Sequence, residues 1–200
     1  MRLLIFKMIA GAGVVAYLRF LGKANRRKQI AHVKDARLEV PMILLKLSLF
    51  VPLFLYALAL FQATELLLPR DAVALVMSFV AVWLLAGAHG ALGEFHTGAG
   101  YSLAETELVT DGLYAWIRHP IYAALALFSA AETLYVYGRF SNLTVGLVVL
   151  IGAANSAFCF SMARRESGVL VTMFGKDALR YQERVHAFLP LRKYQPPEKR

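Results

Sequence analysis

Two stretches of the chain decide its fold: residues 72–92, AVALVMSFVAVWLLAGAHGAL, and residues 143–162, LTVGLVVLIGAANSAFCFSM. Neither contains Asp, Glu, Lys or Arg, and each has the length of about 20 residues that a helix needs to cross a bilayer core. Three more apolar stretches occupy residues 3–21, 41–68 and 121–137. The sequence therefore predicts an all-α integral membrane protein with five transmembrane helices.

The composition agrees with this prediction. Hydrophobic residues make up 58% of the chain and charged residues only 18%, whereas soluble domains are about half apolar and a quarter charged. The chain is basic, with 22 Lys and Arg against 13 Asp and Glu. Because the basic residues lie in short segments between apolar stretches, we expect contact with membrane lipids and no nucleic-acid binding.

The placement of the basic residues predicts the orientation. Six of them lie in residues 23–37 and nine follow residue 162, whereas the short turns at residues 69–71 and 138–142 hold one each. Positive loops stay in the cytoplasm, so we expect the N-terminus outside and the C-terminus inside, in a multi-pass protein of a prokaryotic inner membrane. Lys7 interrupts the first apolar stretch, which favours a retained helix over a signal peptide.

The first polar motif comprises residues 108–114, LVTDGLY, and residues 118–122, RHPIY. Pro120 fits the first turn of the fourth helix. Arg118 and His119 would then lie at the membrane boundary, beside a helix N-terminus that favours anionic groups. An equally plausible role for Arg118 is to anchor the helix among lipid headgroups.

The second motif follows the fifth apolar stretch. Glu166 comes after two arginines and is either a local salt-bridge partner or a residue that binds a polar ligand. Residues 163–184 predict a single amphipathic helix on the membrane surface. Together with residues 93–120, this tail would form a site that opens toward the cytosol and toward lipid.

Other chemistry-bearing residues give weaker signals. His89, Glu94 and His96 lie near the end of the third helix, but the five histidines are scattered, so we expect no metal site. Glu132 lies inside the fourth helix, where an acidic group is costly. It either hydrogen-bonds to a neighbouring helix or lines a substrate cavity.

The two motifs together resemble the isoprenylcysteine carboxyl methyltransferase family and the related phospholipid methyltransferases, over about residues 92–190. The shared pattern is L-V-x-x-G-x-Y-x-x-x-R-H-P-x-Y, followed after the last helix by a Glu-Glu pair, F-G-x-x-Y-x-x-Y and a closing proline. The chain matches it at Leu108, Val109, Gly112, Tyr114, Arg118, His119, Pro120, Tyr122, Glu166, Phe174, Gly175, Tyr181 and Pro190. It departs at Ser167 and Ala178, and lacks a Trp after Leu92-Gly93.

The resemblance implies methyl transfer from S-adenosylmethionine to a lipid-like or isoprenylcysteine-like acceptor, with carboxyl O-methylation expected. Residues 1–92 would supply three membrane helices and residues 93–200 the catalytic region, and the acceptor would enter from the bilayer. The resemblance implies catalytic roles for Arg118, Arg165 and Glu166. It implies cofactor binding by Leu108, Val109, Gly112, Tyr114, His119, Pro120, Tyr122, Glu166 and Tyr181.

Three alternatives remain open at this stage. A phospholipid N-methyltransferase would share the cofactor but methylate an amine. A membrane reductase of related C-terminal architecture would bind a nicotinamide instead, and a non-enzymatic transporter component or scaffold would have no need of two spaced motifs. Identification of a co-purified ligand would distinguish these classes.

Overall fold

The computed structural model describes residues 2–26, 33–34, 39–65, 69–93, 101–102 and 107–194, with side chains described outside residues 20–48 and 101–102. The elements in chain order are α1 Arg2–Arg26, β1 Val33–Lys34, α2 Glu39–Gln62, α3 Arg70–Leu92, β2 Tyr101–Ser102, a 3-10 helix Gly112–Ala115, α4 Pro120–Val136, α5 Asn142–Phe174 and α6 Lys176–Arg184.

The helical prediction is confirmed, because each of the five apolar stretches contributes to one helix, α1 to α5. One feature was not predicted. β1 and β2 pair antiparallel, with Val33 opposite Ser102 and Lys34 opposite Tyr101. Two residues of pairing leave no alternating pattern that a sequence reading can detect.

The five long helices alternate in direction. Near the start of α1, the ring of Phe6 stacks on Tyr135 near the end of α4, and Lys7 Nζ donates to the Phe61 carbonyl at the end of α2. Asp71 at the start of α3 pairs with Arg139, just before α5. We call this end of the bundle the turn end, and the opposite end, where α4 begins, the site end.

Among the residues that the structure describes, two helices, α3 and α5, are long and apolar enough to cross a membrane. Both expose large apolar side chains along their length, including Phe79 and Trp83 on α3 and Leu147 and Leu150 on α5. Extensive exposed apolar surface indicates contact with something other than water. The shorter α4 packs against α2, α3 and α5 and forms the centre of the bundle.

The predicted end of the second helix was wrong. The second apolar stretch does not continue as helix to residue 68, because α2 ends at Gln62 and residues 63–65 are not helical. Residues 66–68 lie outside the described part. Polar Thr64 and Glu65 interrupt the apolar sequence there.

The predicted turn at residues 138–142 is confirmed, since α4 ends at Val136 and α5 begins at Asn142.

The prediction of one surface helix over residues 163–184 was wrong. Helix α5 continues without a break to Phe174, about 18 Å beyond Met162 at 1.5 Å per residue. Gly175 then adopts φ +53 with ψ −123, a positive-φ conformation that glycine accepts readily, and α6 starts at Lys176. The continuation of α5 places Glu166 on the same rigid helix as the apolar stretch.

A candidate polar site at the start of α4

The polypeptide approaches the site through a tight turn. Gly112 has φ +55, and a Cβ added there would lie 3.2 Å from the Ala91 Cβ of α3, so glycine suits both the conformation and the space. The 3-10 helix follows, and α4 starts at the buried Pro120. This local structure fixes Arg118 and His119 just before the first turn of α4.

A second segment, residues 186–194, which we call the strap, holds this loop in place. The backbone N–H groups of Arg118 and His119 donate to the carbonyls of His186 and Ala187, both at 2.9 Å. The Tyr194 N–H donates to the Ala115 carbonyl at 2.7 Å. The strap therefore fixes the backbone of residues 115–119 from both ends.

The side chains of the two sequence motifs meet in what we call the His119 cluster: Arg118, His119, Tyr122, Glu166 and Ser167. His119 Nδ1 lies 3.3 Å from Glu166 Oε2, and His119 Nε2 lies 2.9 Å from Ser167 Oγ. The Tyr122 hydroxyl donates to Glu166 Oε1 at 3.1 Å. Arg118 Nη1 donates to Ser167 Oγ at 3.4 Å.

The donors and acceptors of this cluster are mutually consistent. The carboxylate of Glu166 only accepts, and His119 Nδ1 faces its Oε2 at 3.3 Å, so the Nδ1–H tautomer of the ring directs its proton toward Glu166. His119 Nε2 then accepts from the Ser167 hydroxyl, whose oxygen accepts from Arg118. The cluster thus orients the Glu166 carboxylate through His119 and Tyr122.

The cluster is open on one side. The Glu166 side chain is 47% exposed, whereas that of His119 is only 4% exposed. Burial lowers the pKa of the Arg118 guanidinium from its ordinary value, but an arginine remains a cation at neutral pH. Its Nε is buried and has no hydrogen-bond partner among the residues that the structure describes. An oriented carboxylate beside an incompletely paired guanidinium suits a ligand with both donors and acceptors.

Three of the predicted cofactor residues form a packed layer instead of an open surface. The hydroxyl of Tyr181 donates to the Tyr114 carbonyl at 2.6 Å, and both tyrosines are buried. Burial raises the pKa of both phenols well above the ordinary range. Leu108 packs against Tyr181 and its neighbours Val185 and Tyr194. This layer connects α6 to the loop before α4.

The remaining predicted residues differ in exposure. Pro120 is buried at the first position of α4, and Arg165 is exposed on α5. Val109 is partly buried and Gly112 is exposed. The structure therefore brings together Arg118, His119, Tyr122 and Glu166 most directly.

Metal ligation receives no support from the described residues. His89 is buried, and its Nδ1 lies 2.8 Å from the Leu85 carbonyl of its own helix. Glu94 and His96 lie outside the described residues. In the part of the chain that the structure describes, no group of three His, Cys, Asp or Glu residues could hold a metal ion.

The sequence motifs missed the role of one member of the cluster, Ser167, and two neighbours of the cluster, Gln182 and Phe188. Ser167 was only noted as a departure, yet it contacts both Arg118 and His119. Gln182 Nε2 donates to the Ser167 carbonyl at 2.7 Å, and the Phe188 ring lies 6.2 Å from that of His119. The position of Ser167 next to Glu166 could have indicated its role, whereas no local pattern indicated Gln182 or Phe188.

Glu132, the acidic residue within α4, is buried in the bundle. Its Oε1 has no hydrogen-bond partner among the described residues. Its position on α4, away from Pro120 and toward the turn end, separates it from the His119 cluster by about three helical turns. Both roles of Glu132, as a hydrogen-bonding residue and as part of a substrate cavity, stay predictions.

Comparison with known proteins gives one informative similarity. No family model matches the chain. A segment of 84 residues, 42% of the chain, is 30% identical to a protein-S-isoprenylcysteine O-methyltransferase of Schizosaccharomyces pombe. The match spans 33% of that curated relative's length. The chain is therefore similar in part to a methyltransferase.

Proposed function

We propose that this chain is an integral membrane methyltransferase that uses S-adenosylmethionine and methylates the carboxylate of a lipophilic acceptor. One observation carries the proposal: His119 and Tyr122, at the start of α4, both contact Glu166 on α5. A scaffold does not require such a half-open polar cluster. The partial similarity to the S. pombe enzyme supports the same class.

The chemistry of the cluster fits the cofactor. The carboxylate of S-adenosylmethionine suits the partly exposed guanidinium of Arg118, which donates to Ser167 through Nη1. Its amino and hydroxyl groups suit the exposed carboxylate of Glu166. When bound, the cofactor supplies a methyl group activated by positively charged sulfur. The remaining family-matched residues, Leu108, Val109, Gly112, Tyr114, His119, Pro120, Tyr122 and Tyr181, would form or support its binding surface.

The chain's own residues would act mainly by positioning. A carboxylate acceptor is already ionised near neutral pH, so it needs orientation and not a base. Arg118 or Arg165 would pair with that carboxylate. Because an aligned displacement gains most from fixed geometry and excluded water, the burial of His119 and the adjoining Phe188 ring favour this reaction.

A second candidate is N-methylation of an amine lipid. It is favoured by the contact between Glu166 and His119, since an amine must lose a proton and a half-exposed carboxylate can accept it. The two candidates share the cofactor and differ in the bond formed. Product chemistry therefore distinguishes them.

The proposal includes a topology. All five long helices would cross the membrane, with the N-terminus outside and the site end at the cytoplasmic face, so that the acceptor enters sideways from the bilayer. The alternating directions of α1 to α5 and the basic loops support this arrangement.

The cofactor is tested first. Purified protein in detergent is titrated with S-adenosylmethionine by calorimetry, alongside Glu166→Gln and the matched control Glu183→Gln, which alters an exposed carboxylate on α6. We expect wild type and the control to bind alike and Glu166→Gln to bind at least tenfold more weakly. Failure of wild type to bind, or equal binding by Glu166→Gln, would contradict the proposed site.

The acceptor is tested with methyl-labelled cofactor added to membranes that contain the protein. Carboxyl methylation gives an ester that releases labelled methanol in alkali, whereas an N-methyl product retains the label. A labelled lipid that retains its label in alkali would overturn the carboxylate proposal in favour of the amine candidate. Membranes with Glu166→Gln provide the background.

A further inference from the structure

The strap and the loop that it holds expose a mixed apolar and basic surface. Trp116, Leu189 and Leu191 are between 41% and 63% exposed, although all are large hydrophobic residues. Arg192 and Lys193 are exposed beside them, and Lys193 Nζ lies 5.9 Å from the centroid of the Trp116 ring. We call these five residues the strap patch.

Aromatic contacts fix the level of the strap along α5. The Phe188 ring stacks on Phe160 at 5.7 Å, and Phe160 lies two residues before the end of the apolar stretch at Met162. The Arg164 guanidinium lies 4.4 Å from the Phe160 ring. The strap therefore contacts α5 where the helix changes from apolar to basic, which is the level at which a spanning helix leaves the bilayer core.

The residue types suit that level. Trp and Tyr concentrate at the membrane–water interface, and exposed Leu beside Arg or Lys is typical of segments that lie on a bilayer. The strap contains no Asp or Glu, so its charge is complementary to anionic headgroups. We propose that the strap patch binds anionic phospholipid headgroups, with Trp116, Leu189 and Leu191 inserted at the acyl boundary.

This binding would act on the site through the backbone. The strap hydrogen-bonds to residues 115, 118 and 119, so a strap held by lipid holds Arg118 and His119 at the membrane surface. The inference rests on the proposed membrane topology but does not require methyl transfer. Its tests measure lipid contacts, so their failure is distinguishable from a failure to bind the cofactor.

The depth of Trp116 is measured by fluorescence. The chain has two tryptophans, so Trp83→Phe, a change of an exposed residue on α3, leaves Trp116 as the sole reporter. In nanodiscs of phosphatidylcholine and phosphatidylglycerol, we expect lipids brominated near the headgroup to quench Trp116 more than aqueous iodide does. A water-like emission quenched by iodide alone would overturn the proposal and favour a soluble partner for this surface.

The charge preference is measured separately with spin-labelled lipids in the same nanodiscs. We expect wild type to prefer phosphatidylglycerol over phosphatidylcholine, and Arg192→Gln with Lys193→Gln to lower that preference by roughly fivefold per charge. The control, Lys176→Gln with Arg180→Gln, removes the same charge from exposed positions on α6 and should leave the preference unchanged. An equal fall in both variants, or no preference in wild type, would overturn the assignment to the strap patch.

Discussion

Each end of the bundle contains a carboxylate paired with a basic side chain distant in sequence, and the two pairs differ in how they are enclosed. At the turn end, Asp71 is fully buried and lies 2.8 Å from Arg139, which also donates to the Tyr135 carbonyl and lies over the Tyr135 ring. At the site end, Glu166 remains about half exposed beside His119.

The difference separates a structural contact from a site that can bind a ligand. Arg139 at the turn end is enclosed by Asp71 and Tyr135, so a ligand would have to displace them. At the site end, Glu166 is accessible and Arg118 Nε has no partner among the described residues. A carboxylate left partly open is available for binding, whereas an enclosed one contributes to the fold.

The largest expected effect is at the turn end. Arg139→Gln would remove the cation that lies 2.8 Å from the buried Asp71 carboxylate, and breaking such a buried pair costs about 3–5 kcal/mol of unfolding free energy. Unfolding in detergent, followed by helical circular dichroism, measures the change. Arg180→Gln is the control, because its surface pair with Asp177 at 3.8 Å should contribute at most about 0.5 kcal/mol.

The double variant Asp71→Asn with Arg139→Gln tests the cause of that loss. Since it removes both charges, we expect it to recover part of the stability lost in Arg139→Gln. If Arg139→Gln alone is as stable as wild type, the Asp71–Arg139 pair does not stabilise the fold, and the contrast drawn between the two ends is wrong.

A smaller loss of stability is expected when Tyr181 is replaced by Phe. The change leaves the buried Tyr114 carbonyl without its donor, at a cost of about 1–3 kcal/mol. Because burial raises the pKa of Tyr181, the neutral phenol stabilises the fold below pH about 10, and this contribution is lost as the pH rises toward its folded pKa. Tyr181→Phe should therefore show a weaker loss of stability in alkali than wild type.

The same chemical change at Tyr122 should act on binding instead. Tyr122→Phe removes one hydroxyl that donates to the half-exposed Glu166, so we expect roughly a fivefold loss of cofactor affinity and less than about 1 kcal/mol of stability. Calorimetry and unfolding on Tyr122→Phe and Tyr181→Phe form a matched pair. A loss of affinity in Tyr181→Phe and none in Tyr122→Phe would reverse the roles assigned to them.

The sequence predicted features that depend on local chemistry and missed those that depend on distant contacts. Pro120 indicated where α4 starts, because proline suits the first turn of a helix. Hydropathy placed the end of the fifth helix near residue 162, but α5 continues to Phe174, because a polar helix can extend beyond its apolar part.

The candidate site was predicted only in part, because several of its contacts join residues that are distant in sequence. The motif resemblance grouped Arg118, His119 and Glu166, and the structure places His119 against Glu166 and joins Arg118 to His119 through Ser167. The strap could not be predicted, since its hydrogen bonds to residues 115–119 involve backbone atoms that are alike in every residue. The Asp71–Arg139 pair likewise required knowing that two separate turns lie side by side.

The smallest expected effect concerns Ser167, where the chain departs from the paired glutamates of the family that it resembles. Ser167→Ala removes the hydroxyl between Arg118 and His119. Because this hydroxyl acts on Glu166 only through His119, we expect the low end of a hydrogen bond's contribution, about 0.5 kcal/mol, which corresponds to about a twofold loss of cofactor affinity. Ser161→Ala, which removes an exposed hydroxyl bonded to the Ala157 carbonyl of the same helix, is the control. Equal affinities in both variants would mean that the Ser167 hydroxyl does not contribute to cofactor binding. Tyr122 would then be the residue that orients Glu166 at the site end.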